Sequence, residues 1–170
     1  MDENLLENLR YPTGKFKRPD RITQQHIEAW ILQLEEMPER YKKLLHNLKE
    51  NQMETPYRPV CWTVRQLVHH VADSHHNSYI RFKWALTEES PLIKPYFEKE
   101  WANLFDSRKA PIQLSLDHLK VVHAKLVFLL KGLSRSELKR SFIHPEGEVV
   151  TSLEENIGRY AWHGNHHYAH

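Results

Sequence analysis

The sequence has little cysteine, little glycine and no long apolar run, and each shortage excludes a class of protein. Cys61 is the only cysteine among the 170 residues, so no disulfide can form within the chain, which fits a reducing compartment. Five glycines and nine prolines are too few for a low-complexity chain. No apolar run approaches the roughly 20 residues that a membrane span needs, and the N-terminus lacks the pattern of a signal peptide. We therefore expect a cytoplasmic protein that does not associate with membranes.

Charge of one sign is also scarce. The net charge is +2 when the histidines are neutral, and lysine and arginine are dispersed along the chain, so nucleic acid is not expected as the main partner.

Hydrophobic residues make up 40% of the chain and charged residues 27%, which is typical of a globular protein. A chain of this length usually forms one domain with a sizeable core, and we predict a single domain over residues 1–170.

The periodicity of apolar residues predicts an all-α fold. We expect an irregular N-terminal arm over residues 1–22 and main helices near residues 23–49, 63–86, 114–130 and 151–170, with Pro38 kinking or splitting the first helix. Capping boxes at Thr63 and Thr151 begin the second and the last helix. One short helix is expected near residues 98–105, and residues 141–150 read as a small extended hairpin around a glycine turn. Four main helices with short connections predict a four-helix bundle, a fold that often builds metal sites between facing helices.

What the chain does have is histidine, concentrated near its end. His163 and His167 are four residues apart, as are His166 and His170, so each pair shares one face of a helix. Such a pair can bind one Zn²⁺ or Ni²⁺. A helical wheel puts His163 and His167 at the border of the apolar sector, and the other pair further toward the opposite side. The first pair is therefore favoured as metal ligands; a solvent-exposed, histidine-rich helix end is the alternative.

A second histidine cluster can supply the third ligand that an open catalytic site needs. It contains His69, His70, His75 and His76. In the predicted second helix, His75 lies in the apolar face and His70 about a third of a turn from its centre, while the other two point away. Periodicity leaves His70 and His75 as rivals, with a slight preference for His75, although a lone histidine in an apolar face is more often a packed core residue.

Four segments resemble YfiT-type proteins of the DinB-like superfamily, which are four-helix-bundle metalloproteins. They are residues Tyr11–Phe16, Trp62–His75, Tyr79–Lys83 and His163–His170. The resemblance implies that His70, His163 and His167 bind the metal, against the slight preference for His75, which would then be a packing or pocket-lining residue. It also implies a homodimer. Similar proteins usually continue the last helix further, which points to a truncated C-terminus.

Three neutral imidazoles would leave a divalent ion, Zn²⁺ or Ni²⁺ at one per chain, with its full charge and a position for water. Such an ion lowers the pKa of bound water from about 15.7 toward 7. The resemblance implies a metal-dependent hydrolase of a small-molecule substrate. Related members transfer low-molecular-weight thiols such as bacillithiol, and the same open position can stabilise a thiolate. A thiol S-transferase and a non-catalytic metal-binding stress protein are therefore the alternatives.

Other candidate residues have weaker support. Asp73 can orient a ligand imidazole or act as a base, although an exposed carboxylate is the commoner case. Arg81 can bind an anionic group of the substrate or form an ordinary ion pair. Cys61 is taken as structural. Tryptophans that can line a pocket or fill the core are Trp62, Trp84, Trp101 and Trp162.

Overall fold

The computed structural model describes residues 3–170 as a mainly helical protein. Its long helices are α2 (Gln24–Leu45), α4 (Val64–Thr87), α7 (Ile112–Lys131) and α9 (Leu153–Ala169). The shorter ones are α1 (Glu3–Arg10), α3 (Glu50–Met53), α5 (Glu98–Ala102), α6 (Phe105–Lys109) and α8 (Arg135–Leu138), and the strands are β1 (Ser141–His144) and β2 (Val149–Ser152). None of the helices in this range is long and apolar enough to cross a membrane.

The four long helices form a bundle around one apolar core. Helix α2 packs against α7 and α9, and α4 packs against the same two helices. The side chains that meet between them are fully buried, and they include Leu34, Val71, Phe82, Leu126, Leu153 and Ile157. This arrangement confirms the predicted all-α four-helix bundle.

The predicted hairpin before the last helix is also present. Strands β1 and β2 pair antiparallel, with Ser141 opposite Ser152 and His144 opposite Val149. The turn between them contains Gly147 at φ +76°, a conformation that glycine adopts without steric cost. The predicted start of the last helix is wrong by one residue, since Thr151 belongs to β2 and Ser152 is the cap, whose hydroxyl accepts from the Glu155 amide.

Three other expectations are corrected. The N-terminal arm is not irregular throughout, because residues 3–10 form helix α1; Leu5, Leu6 and Leu9 in fact carry helical spacing. Helix α2 is not split, since it continues through Pro38 and ends at Leu45 rather than near residue 49. The segment before α7 holds two short helices, α5 and α6, where one was expected.

The arm after α1 lies across the last helix. The Trp162 indole N–H donates to the Gly14 carbonyl at 2.9 Å, and the Tyr11 ring lies 5.9 Å from the His166 ring, measured between centroids. Gly14 has φ +73°, which lets the chain turn there at no steric cost. The arm therefore covers the face of α9 that carries His166, which the helical wheel put toward the side opposite the apolar sector.

Helix α9 approaches α2 closely at a glycine. A Cβ at Gly164 would overlap the Sδ and Cε atoms of Met37, which is almost fully buried. The Tyr41 hydroxyl of α2 donates to the Gly164 carbonyl at 2.8 Å. Because residue 164 has no side chain, α9 and α2 can approach each other closely beside the histidines of α9.

Substitution Gly164→Ala should destabilise the fold by about 1–3 kcal/mol, because the buried Met37 side chain must leave its packed position. The cost should shrink in a Met37→Ala background, where the overlap is gone. Urea unfolding of the four proteins of this double-mutant cycle measures the coupling. Gly132→Ala is the matched control, since its Cβ meets nothing closer than 3.5 Å; equal effects at the two glycines would contradict the explanation.

Candidate metal centre

Two capped helices bring three histidines together at one end of the bundle. The Thr63 hydroxyl caps α4 and accepts from the Gln66 amide, and α4 carries His70. Helix α9 carries His163 and His167 one turn apart. One ring nitrogen of each of the three residues lies within 4.8 Å of the others. Ring centroids are 5.4 Å apart for His70 and His163, 5.1 Å for His70 and His167, and 4.5 Å for the pair on α9.

These three rings line a pocket of about 990 Å³. The Trp62 ring packs 4.8 Å from the His70 ring, centroid to centroid, and Trp62, Trp162 and Tyr160 are part of the same wall. The pocket carries more positive than negative side chains: Arg10, Arg58, Arg81 and Lys99 against Glu98 and Glu146. The triad of His70, His163 and His167 therefore faces a chamber large enough for a small molecule, in which positively charged side chains outnumber negatively charged ones.

Behind the triad, a chain of hydrogen bonds joins buried histidines. His163 Nδ1 lies 3.3 Å from His75 Nε2, and His75 Nδ1 lies 2.9 Å from His123 Nε2. His123 Nδ1 in turn lies 2.5 Å from the Leu34 carbonyl oxygen. His75 and His123 are almost fully buried. The chain of bonds passes through α9, α4, α7 and α2, so it touches every long helix of the bundle.

The proline in α2 explains why the Leu34 carbonyl is available. In a regular helix this oxygen would accept from the amide of residue 38, four positions later. Pro38 has no amide hydrogen, so the carbonyl lacks that donor, and His123 supplies one instead. Helix α2 thus continues through Pro38 without a split, and a side chain from α7 satisfies the carbonyl that the proline leaves without a donor.

The direction of these bonds determines which nitrogens carry protons. The Leu34 oxygen can only accept, so His123 Nδ1 carries the hydrogen and His123 Nε2 is an acceptor in the neutral ring. His75 Nδ1 must then donate to His123, and His75 Nε2 accepts from His163 Nδ1. The Nε2 atom of His163 is left with its lone pair, as a metal ligand requires.

Burial keeps the rings of this region neutral. It lowers the pKa of His70 and of His123 to about 4 each. Burial, reinforced by neighbouring histidines, holds the pKa values of His75, His163 and His167 well below the usual range. Neutral imidazoles with free lone pairs can hold a divalent ion of the Zn²⁺ or Ni²⁺ type.

A second group of three histidines lies at the end of α9. One ring nitrogen each of His166, His167 and His170 also lies within 4.8 Å of the others. His166 was expected to point away from the core, yet it is only 7% exposed, because the N-terminal arm and the stacked Trp162 ring, 4.7 Å away between centroids, cover it. Burial lowers the pKa of His166 to about 4, and the charges of His170 and Arg58 act in the same direction.

Two histidines of α4 that were expected to point away also have partners. His69 is buried, and its Nδ1 lies 2.7 Å from the Ser115 hydroxyl. His76 Nδ1 lies 2.8 Å from His118 Nε2. Both therefore make contacts with α7 and lie apart from the triad.

The weaker candidates divide between pocket and surroundings. Arg81 lines the pocket and donates to the Tyr160 hydroxyl at 3.2 Å, and Cys61 is part of the wall. Asp73 is not brought to the pocket wall; burial, reinforced by Asp106, raises its pKa to about 6. Of the tryptophans, Trp62 and Trp162 face the pocket, whereas Trp84 packs against the core.

Sequence reasoning missed His123 altogether. It lies on the face of α7 formed by buried apolar residues, which are Leu116, Leu119, Leu126 and Leu130. A histidine in an apolar stripe signals a buried partner, as His75 does on α4. No pattern near Pro38 in the sequence indicates its role, because that role depends on the His123 side chain, 85 positions later in the chain.

Comparison with known proteins gives a consistent assignment. Residues 33–170 match the model of the DinB superfamily. The chain is 51% identical over 166 residues to a protein of Bacillus cereus (strain 03BB102) named "Putative metal-dependent hydrolase", covering 97% of this chain and 94% of that protein. A protein of Bacillus thuringiensis subsp. konkukian (strain 97-27) with the same type of name matches with the same identity and coverage.

Solved structures give the same fold. The structure of YfiT from Bacillus subtilis, described as a probable metal-dependent hydrolase with an unusual four-helix bundle topology, superposes with a TM-score of 0.93 at 46% identity. That match covers 95% of this chain and 93% of the other. A mycothiol-dependent maleylpyruvate isomerase superposes with a TM-score of 0.63 at 17% identity, covering 85% of this chain and 63% of that one, which shows a shared fold alone.

The histidine chain predicts a specific coupling between α2 and α7. His123→Phe should cost about 2–5 kcal/mol, because it leaves two buried groups unpaired, the Leu34 carbonyl and His75 Nδ1. Pro38→Ala restores an amide that can satisfy that carbonyl. The stability gained from Pro38→Ala should therefore be larger in the His123→Phe background than in the unmodified protein. Urea unfolding of metal-free protein tests this, and equal gains in both backgrounds would refute the role of Pro38.

The buried histidines also predict loss of stability in acid. In the unfolded chain a histidine takes up a proton near pH 6.5, whereas His70 and His123 do so only near pH 4. The metal-free protein should therefore lose stability as pH falls from about 6.5 to 4. Asp73 acts in the opposite direction, since its raised pKa favours the folded state as pH falls, but the histidines outnumber it.

Melting temperatures between pH 4 and 7.5 measure this slope. His70→Ala should flatten it, whereas Asn47→Ala, at an exposed residue that does not titrate, should leave it unchanged. Stability that stays constant or rises as the pH falls through this range would contradict the assignment of neutral buried rings.

Proposed function

Because this chain belongs to the DinB superfamily, we propose that it is a metal-dependent hydrolase of a small-molecule substrate, with one Zn²⁺ or Ni²⁺ held by His70, His163 and His167. The observation that carries the proposal is the convergence of three neutral ring nitrogens within 4.8 Å at the wall of a pocket. Three imidazoles with a vacant position are the usual ligand set of a catalytic zinc ion. When bound, the ion supplies Lewis acidity and lowers the pKa of a coordinated water from about 15.7 toward 7.

The hydrogen bonds around the triad support this ligand set. His75 accepts from Nδ1 of His163 and thereby fixes the ring and leaves Nε2 with its lone pair. Outer partners of this kind orient metal-bound histidines, and their loss typically reduces affinity about 10–100-fold. His75, the rival ligand on α4, has both ring nitrogens engaged, which favours His70 as the third ligand.

Other residues of the pocket wall can bind and orient a substrate. The Tyr160 hydroxyl accepts from Arg81, so its own hydrogen is free to be donated into the pocket. The Arg81 guanidinium and the Lys99 ammonium supply positive charge in the same chamber. Trp62 beside His70 gives an apolar surface that excludes water from one side of the triad. These contacts suit a compact substrate with an anionic or strongly polar group.

Thiol transfer is the second candidate function. The same vacant position can hold a thiol sulfur as thiolate, and the excess of pocket cations over carboxylates lowers the pKa of a bound thiol. Both reactions would use the same three metal ligands, so only the identity of the substrate distinguishes hydrolysis from thiol transfer.

Loss of one triad imidazole should weaken metal binding more than the roughly 10–100-fold typical of an outer partner. We expect this for His70→Ala and His163→Ala, measured by Zn²⁺ titration of untagged, metal-free protein. His118→Ala, which removes a histidine paired with His76 outside the triad, is the matched control and should bind as the parent does. Circular dichroism verifies folding, and His70 is the more informative position because it has no hydrogen-bond partner in the described part of the chain.

The reaction is tested with the same three variants. The metal-loaded protein is screened against esters, amides and pairs of a thiol with an electrophile. Hydrolysis that requires the ion and is lost in His70→Ala, but not in His118→Ala, is the expected result. A thiol-dependent product without hydrolysis assigns the protein to the second candidate. Absence of a stoichiometric ion under all loading conditions would overturn both.

A further inference from the structure

The histidines at the end of α9 have the geometry of a second cation site. His167 Nδ1 and His170 Nδ1 lie 3.4 Å apart. Two nitrogens on one tetrahedral ion, each at 2.0–2.1 Å, are separated by about 3.4 Å. One ring nitrogen of His166 completes a group within 4.8 Å. The spacing of the His167 and His170 nitrogens is thus close to that of two ligands of one ion.

His166 provides a nitrogen that has no other use. Its Nδ1 is buried and has no hydrogen-bond partner in the described part of the chain, and the residue is only 7% exposed. Leaving a buried polar atom unpaired costs about 1–3 kcal/mol. A cation bound through Nδ1 would satisfy this atom, whereas no protein group within residues 3–170 does.

His170 is held in the tautomer that a ligand needs. Its Nε2 lies 3.1 Å from the Leu9 carbonyl oxygen of α1, so Nε2 carries the hydrogen and Nδ1 has the lone pair. A backbone carbonyl that accepts from the far nitrogen is a common outer partner of metal-bound histidine. In the metal-free protein, His167 Nδ1 therefore donates its hydrogen to His170 Nδ1.

We propose that His166, His167 and His170 form a second site for a divalent cation of the Zn²⁺, Ni²⁺ or Co²⁺ class. All three ligands are neutral nitrogens, which suit these ions better than Mg²⁺ or Ca²⁺. The site uses no residue of α4, although it shares His167 with the triad. It connects the last helix to the Leu9 carbonyl and hence to the N-terminal helix.

His167 makes the two sites compete. A neutral imidazole has one lone pair, so this ring binds through Nε2 in the triad or through Nδ1 in the second site. The change moves its proton from Nδ1 to Nε2, with no net gain or loss. Arg58 lies close enough to lower the pKa values of His166 and His170 by its charge, and the same charge opposes a cation. The second site is therefore the weaker one, and is filled when the triad is incomplete.

The test uses untagged protein and Co²⁺ or Zn²⁺ alone. His70→Ala disables the triad, and the remaining binding, weaker than in the parent, should come from the second site. Adding His166→Gln or His170→Gln to His70→Ala should reduce affinity at least tenfold further, while adding His118→Gln should change nothing. The visible spectrum of bound Co²⁺ reports the change in ligands independently of any turnover.

Two results would overturn the second site. One is a His70→Ala protein that binds no ion. The other is a His70→Ala/His166→Gln protein that is folded by circular dichroism and binds the ion with the same affinity as the His70→Ala protein. This second result is expected if His163 and His167 alone hold the residual ion. Either result leaves the proposed function intact provided that the parent binds one ion per chain.

Discussion

A buried neutral imidazole needs a hydrogen-bond acceptor for one ring nitrogen and a donor for the other, and this requirement constrains how the four long helices pack. Removing a polar ring from water costs free energy unless both nitrogens are satisfied. For His75 and His123 the demand is met by a single sequence of bonds from the Leu34 carbonyl through His123 and His75 to His163. Since these groups belong to α2, α7, α4 and α9, a shift of one of these helices relative to the others would break at least one of the bonds.

The hydrogen bonds of this sequence also share one donor-to-acceptor direction. The carbonyl end can only accept, so every hydrogen along the chain points toward α2, and the last nitrogen, on His163, is left with its lone pair. The orientation is set by a backbone oxygen at the opposite side of the core, not by groups in the pocket. The conformation of the candidate ligand is therefore fixed before any ion arrives, which reduces the entropy lost on binding.

Much of the fold could be predicted from the sequence, because the long helices carry strong apolar periodicity and Thr63 is an unmistakable cap. The hairpin was also predictable from its glycine turn. The grouping of His70 with His163 and His167 came from a resemblance, whereas periodicity alone favoured His75. The wheel could not separate the two because both side chains are buried; what distinguishes them is that His75 meets His123, a contact between helices. Burial of His166 was missed for a similar reason, since the covering arm is distant in sequence.

The contacts of the N-terminal segment bear on the order of folding. The bond from Trp162 to Gly14 joins residues 148 positions apart, and the bond from His170 to Leu9 joins residues 161 positions apart. Contacts of such separation close the largest loops the chain can make, so their entropic cost is repaid only after local structure has formed. During synthesis Trp162 and His170 must leave the ribosome before the corresponding contact can form. The wall that Arg10 and Tyr11 contribute to the chamber therefore cannot close before α9 is available to pack against it.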